Sequence, residues 1–157
     1  MVELSDMPAI AINKKAKFDY EMMETLSAGL VLSGPEVKSA KAGQVSLKGA
    51  FVVLKQRPGR LPEAYLLNAT ITPYKFAIPG SLDSTRSRKL LLTKKELGQL
   101  VGKTAQEGLT LVPLSLYTKN GLVKLDFAIA RGKKKYDKRE DIKKRDVKRQ
   151  LQRLMKR

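Results

Sequence analysis

The sequence predicts a mainly β fold, a small closed antiparallel barrel with two or three short helices and a basic C-terminal tail. Three observations predict it. Short apolar or alternating runs recur between Gly-, Pro- and Asn-containing turns. Two capping patterns mark short helices without regular strand–helix alternation. Past Arg131 the apolar content thins and cations crowd together.

The clearest element is a hairpin. Leu109 to Tyr117 and Leu122 to Ala130 flank Lys119-Asn120-Gly121, and Asn-Gly suits the two left-handed positions of a tight hairpin turn. Val123, Leu125, Phe127 and Ile129 fall on one face, while Lys124 and Asp126 fall on the other, predicting a buried and a wetted side. Ala50 to Lys55 and Ala64 to Ile71 read as strands around the turn Gln56 to Pro62, and Glu24 to Leu32 adds another. Ser33-Gly34-Pro35-Glu36 and Thr93-Lys94-Lys95-Glu96 have the Ser/Thr-x-x-Glu capping pattern. The first helix is expected to stop at Gly43 and the second near Gly102. Residues 75 to 88 form a polar connection, ending in Arg86 and Arg88, that reads equally as a solvated loop or a functional one. Many short strands with so few helices favour a barrel like the oligonucleotide-binding folds.

A chain of 157 residues fits one domain with an appendage. Aromatic residues make up only 6% and Trp is absent, so the core rests on Leu, Val, Ile and Ala. The net charge is +17, unevenly placed: residues 131 to 157 hold 14 Lys/Arg against 4 acids, residues 1 to 130 hold 18 against 11. The division is therefore a body, 1 to 130, and a tail, 131 to 157. The tail has i,i+4 pairs Glu140–Lys144 and Asp141–Arg145. Its apolar stripe is thin, Ile142, Val147, Leu151, Leu154 and Met155, so the expectation is disorder when free and a helix when bound.

Such a charge calls for a polyanionic partner, nucleic acid first. Tyr136 sits among Lys133, Lys134, Lys135, Lys138 and Arg139, a combination that stacks on an unpaired base while neutralising phosphates, which favours RNA over a membrane surface. No apolar run approaches the ~18 residues of a spanning helix, and no signal-like segment opens the sequence, so a cytoplasmic protein without membrane association is expected. Cys and His are absent. Zinc sites and the common nucleophile–base pairs go with them, and neither metal nor cofactor is expected. Gly98 to Thr104 imitates a phosphate-binding loop, but three residues separate its glycines where four are required and a helical pattern precedes it. The body's acids, Glu36 among them, read as solubilising surface groups. Arg86, Arg88 and Lys89, beside Leu90 to Leu92, read either as a phosphate clamp or as an ordinary charged loop before a core strand.

Glu36-Val37-Lys38-Ser39 with Ala42-Gly43, Ile71-Thr72-Pro73-Tyr74 and Arg86 to Leu92 together resemble the bacterial SsrA-binding protein family (small protein B, SmpB). Gly108 to Leu114, Leu116-Tyr117, Ala130 to Lys134 and Asp137 to Asp146 extend the resemblance from about Ile10 to the C-terminus. It implies a barrel that grips the tRNA-like domain of transfer-messenger RNA and, with elongation factor Tu in the delivery complex, accompanies it to stalled ribosomes for trans-translation. It also implies a tail that enters the empty messenger channel and becomes helical at the decoding centre of the small ribosomal subunit RNA. Asn13, Leu91 and Lys124 match positions of the family's RNA-binding face, with Arg86, Arg88 and Lys89 nearby. Tyr136 matches a ring position implied to stack on a ribosomal base, beside Asp137, Lys138 and Arg139, with Arg131, Lys133, Lys134, Lys143, Arg145 and Met155 in the same tail. Ser27 departs from the pattern, since the family usually has Glu there, and this removes one carboxylate contact to RNA.

Two other readings make different demands. A structural ribosomal protein with a basic extension would stay ribosome-bound without transfer-messenger RNA. An RNA-processing enzyme would need paired carboxylates, a histidine or a cofactor loop, and none is visible, so no enzyme is expected; divalent-metal-dependent RNA cleavage lost on mutating Asp83 or Asp126 would revive that reading.

Overall fold

The computed structural model describes residues 9–76, 83–106 and 108–156. In chain order its elements are β1 (Ala9–Ile12), α1 (Ala16–Asp19), β2 (Tyr20–Leu30), α2 (Gly34–Lys41), β3 (Val45–Ser46), β4 (Phe51–Lys55), β5 (Glu63–Leu67), β6 (Thr70–Ile71), β7 (Arg88–Leu91), α3 (Lys94–Thr104), β8 (Leu109–Lys119), β9 (Leu122–Gly132) and α4 (Lys135–Met155). The order β8-β4-β5-β7-β2-β9 closes through a β8–β9 pairing into an antiparallel ring, so those six strands leave no free edge. β1 lies along the far half of β8, and β3 and β6 pair separately. The closed antiparallel barrel is the fold the turn and alternation signals predict.

The β8–β9 hairpin turns on Asn120 and Gly121, both at positive φ (53° and 76°), as its two-residue turn requires. Val123, Leu125, Phe127 and Ile129 enter the barrel core with Leu66, Leu90, Leu100 and Leu116. The predicted strand Ala64 to Ile71 is interrupted at Asn68, whose positive φ (59°) separates β5 from β6. β2 begins at Tyr20, four residues earlier than expected, with a bulge between Met22 and Glu24 that re-aims it along β9. Both capping boxes form: Ser33 and Thr93 accept from the N–H of Glu36 and Glu96, whose carboxylates accept in return. α3 ends at Thr104, past Gly102, because Gly102 keeps helical geometry and the Thr104 hydroxyl donates back to the Leu100 carbonyl.

The wetted face expected on β9 is covered over much of its length. Asp126 is buried, as are Ala128 and Ala130, and Ala16 of α1 packs with Val112 and Ala130 in a second small core on that side. β9 also runs two residues beyond Ala130. Arg131, grouped by its charge with the tail, pairs with Glu21 and Leu109 as a strand residue. α4 follows as a single helix of 21 residues with no buried side chain.

Candidate nucleic-acid interface

Register places the first elements of the site. On adjacent strands β7, β2 and β9, Leu91, Gly29 and Lys124 stand opposite one another in a row, and Tyr117 continues it on β8. Gly29 supplies no side chain: a Cβ there would lie 3.4 Å from Leu91 Cδ1. Leu91 therefore rests over bare backbone and remains 57% exposed. An exposed apolar side chain, a strip of naked backbone and a lysine form a flat surface onto which a sugar or base can settle closely. Ser27, Arg60, Lys89 and Lys94 line the same groove. Lys89 lies 3.5 Å from Glu63, whereas Lys124 has no ion pair among the described residues.

Beside the row, the Tyr117 hydroxyl bonds the Ser27 hydroxyl, and Ser27 stands opposite Asp126. Burial and the Asp126 carboxylate push the Tyr117 hydroxyl pKa up against the opposing effect of Ser27. Ser27 thus spends its hydroxyl inside the protein, at the place where the resemblance implied an outward carboxylate.

The arginines of the expected clamp are placed differently. Arg88 is fully buried, with Nε donating to Glu36 at 2.8 Å and its terminal nitrogens donating to the carbonyls of Ala69 (2.8 Å), Arg86 (3.1 Å) and Ser84 (3.0 Å). Arg86, one-third exposed, donates to the other oxygen of Glu36 through Nε at 3.0 Å and through its terminal nitrogen. Arg88 is therefore corrected from an RNA contact to a core residue, and Glu36 from a surface acid to its buried counter-ion. Burial alone would raise the Glu36 carboxyl. Hydrogen bonds from Arg86, the Ser33 N–H and Arg88 outweigh it and hold the group at about 2. Of the expected cluster, Lys89 alone faces the groove with Leu91 and Lys124.

Asn13 is set apart. Its Nδ2 donates to the Pro113 carbonyl at 2.9 Å and its N–H to Leu114, fixing the end of β1 to β8 beside the bulge there. It lines two further grooves, with Lys15, Lys48 and Gly49, and not the one holding Leu91.

The tail leaves the barrel along α1. The Lys133 N–H donates to the Asp19 carbonyl (2.9 Å), its ammonium to the Lys17 carbonyl (3.0 Å) and to Asp141. Lys138 pairs with Asp19 at 3.3 Å and the Arg145 guanidinium lies 5.3 Å from the Phe18 ring centre. Tyr136 is 69% exposed and Met155 85%. Lys134, Asp137, Arg139 and Lys143 are exposed on the same helix or its lead-in. Lys133, Lys138 and Arg145, expected to face ribosomal RNA, here have partners in the body or the helix. Sequence reading missed β1, α1, Gly29 and Glu36. The signal for Glu36 was its place in a capping box, which fixes the carboxylate at the start of α2, where Oε1 accepts from the Ser33 N–H and Arg86 and Oε2 from Arg88.

Comparison with known proteins bears on what this surface is for. The family model described as SmpB protein matches residues 10–157. An SsrA-binding protein of Thermosynechococcus vestitus is 50% identical over 145 residues, covering 92% of both chains, and one of Bacillus pumilus is 47% identical over 144 residues, covering 92% of this chain and 89% of its own. A chain in a solved structure described as "tmRNA-SmpB: a journey to the center of the bacterial ribosome" shares 46% identity and superposes with a TM-score of 0.63, over 79% of this chain and 84% of that one. With the same barrel and a match running through α4, the chain belongs to the SmpB family.

Proposed function

We propose that this chain is an RNA-binding adaptor that grips the tRNA-like domain of transfer-messenger RNA and delivers it to stalled ribosomes for trans-translation, the chemistry being the ribosome's. The relatives' designation as SsrA-binding proteins and the tmRNA–ribosome setting of the similar structure support the reading. The observation that carries it is the row Leu91–Gly29–Lys124. Lys124, with no internal counter-ion among the described residues, neutralises a phosphate. Leu91 packs on a sugar or base face across the bare strand, and Lys89 adds charge at the edge. Asn13 and Arg86 contribute by holding the frame: Asn13 ties β1 to β8, and Arg86 closes the Glu36 cluster behind β7.

The tail takes the second partner. Tyr136 stacks on a base of the small-subunit RNA at the decoding centre, and Lys138, Arg139, Lys143 and Arg145 neutralise its phosphates, exchanging Asp19 and Phe18 for RNA as α4 enters the messenger channel. Elongation factor Tu joins the delivery complex. No described helix is long and apolar enough to cross a membrane. The test is binding to the tRNA-like fragment with ordinary tRNA as competitor. The full chain and a chain ending at Lys134 should bind alike and Lys124→Ala about ten-fold more weakly, while the shortened chain alone should fail to rescue stalled ribosomes. Equal binding of ordinary tRNA would overturn the reading in favour of a general ribosomal protein.

A further inference from the structure

Away from the groove of Leu91 and Lys124, the segment after β6 carries Tyr74-Lys75-Phe76. Its root is fixed: the Ile71 N–H donates to Ser84 and the Thr72 N–H to Gln44. The ammonium of Lys38, from α2, lies 5.2 Å from the Tyr74 ring centre, which ties the segment to a rigid helix. Tyr74 and Phe76 meet edge to face, centroids 5.6 Å apart at 67°, and Lys75 lies 5.8 Å from the Phe76 ring centre. Phe76 is nevertheless 76% exposed, and among the described large apolar side chains only Met155 of the tail is more so. Phe76 and Tyr136 of the tail are the two most exposed rings among the described residues, and both stand among lysines.

We propose that Tyr74 and Phe76, flanked by Lys38 and Lys75, form a second RNA contact, a platform on which one unpaired base stacks. The flanking charge chooses the occupant. Both rings already bear cations, the whole chain is at +17, and an aromatic face beside two lysines matches a nucleobase with its adjoining phosphates. A protein partner would instead meet a point of dense positive charge around a single ring. A paired helix offers no free base face. The platform lets the barrel hold a single-stranded or looped-out nucleotide at the same time as the groove holds its RNA, since neither ring nor Lys38 lines that groove. The inference rests on the chain being an RNA binder, not on the groove's role.

The probe is a short adenosine oligoribonucleotide containing 2-aminopurine, whose emission falls when the base stacks. It is titrated into the full-length chain carrying Tyr136→Ala, which removes the tail's exposed ring. Emission should fall on binding; Phe76→Ala should abolish the fall and weaken binding roughly ten-fold, and Phe76→Tyr should restore both. Leu122→Ala, at an exposed apolar residue outside both surfaces, should leave the signal intact, and the groove is read separately through binding of the tRNA-like fragment, so that failure of the groove reading and failure of this one are separable. The melting temperature of Phe76→Ala should match its parent, because the side chain is exposed. An unchanged signal in Phe76→Ala overturns the proposal. So does a Phe76→Leu chain that binds as well as its parent, which would mark an apolar protein-docking point, or equal competition by a fully paired hairpin.

Discussion

Arg88 of the barrel and Arg149 of the tail are the same residue type under opposite rules. Arg88 is wholly buried, its guanidinium shared between Glu36 and three carbonyls. Arg149 lies on a helix that buries nothing. The barrel folds one cation, Arg88, wholly into its core as an internal fastener and leaves most of its other cations at the surface, with Lys124, half-buried, held by strand register beside Gly29 and Leu91. The tail keeps nearly all of its cations for a partner and draws its order from one end, where α1 holds Lys133 and Lys138. Charge density alone therefore does not mark an RNA contact; what sets Lys124 apart is its place in the row with Gly29 and Leu91.

The largest effect that would break this contrast lies at Glu36. Glu36→Gln keeps the shape but leaves Arg88 in the core without a counter-charge, and a buried pair broken from one side costs about 3–5 kcal/mol. Thermal melting should show the barrel severely destabilised, while Lys143→Ala and Arg149→Ala together leave the melting temperature unchanged. Acid gives the same contrast without mutation. The folded Glu36 carboxyl sits at about 2, below its ordinary 4.5, so the unfolded chain takes up the proton first as pH falls. The contribution is complete above about pH 5 and drains away toward pH 2, amounting to about 3 kcal/mol. Denaturant melts across that range should show the loss in the parent chain and not in a chain whose Glu36 cluster has been replaced by apolar residues.

The next effect separates the two surfaces by salt. Each phosphate neutralised adds roughly 0.7–0.9 to the slope of log affinity against log salt. Lys124→Ala should lower the slope for the tRNA-like fragment by about one and leave the slope for ribosomes unchanged. Ending the chain at Lys134 should do the reverse, removing several units from ribosome binding alone. A common change in both slopes would mean that body and tail share one RNA.

The sequence was most readable where local chemistry decides structure. Asn120-Gly121 fixes its hairpin, and two capping boxes fix the starts of α2 and α3, because each rests on residues a few positions apart. It was least readable where the partner is distant. Arg88 and Glu36 are 52 positions apart, and nothing local distinguishes an arginine that will be buried from one that will stay wet. The same limit hid Gly29, whose importance is a space beside Leu91, and α1, whose four residues carry no periodic pattern. Lys124 and Leu91 were found through family resemblance; strand alternation alone placed Lys124 outside the core but could not tell it from Asp126, which the barrel buries.

The smallest effect tests whether α1 orders the tail. A helix of 21 residues with an exposed apolar stripe is marginal alone in water, even with its i,i+4 pairs. Its tie to the body is local: Lys138 on Asp19, Arg145 over Phe18, and Lys133 joining the Lys17 carbonyl to Asp141. Asp19→Asn with Phe18→Ala removes two of these ties and leaves the helix sequence untouched. Circular dichroism at 222 nm should fall by about the signal of the tail's first two turns, with the barrel's melting and its binding of the tRNA-like fragment unchanged. A peptide of residues 133–157 should be less helical still. If the peptide alone were as helical as the tail in the chain, order would come from the tail's own pairs, and α1 would serve only to aim it. If the double variant lost no helicity but rescued stalled ribosomes poorly, aiming would be the whole of its role.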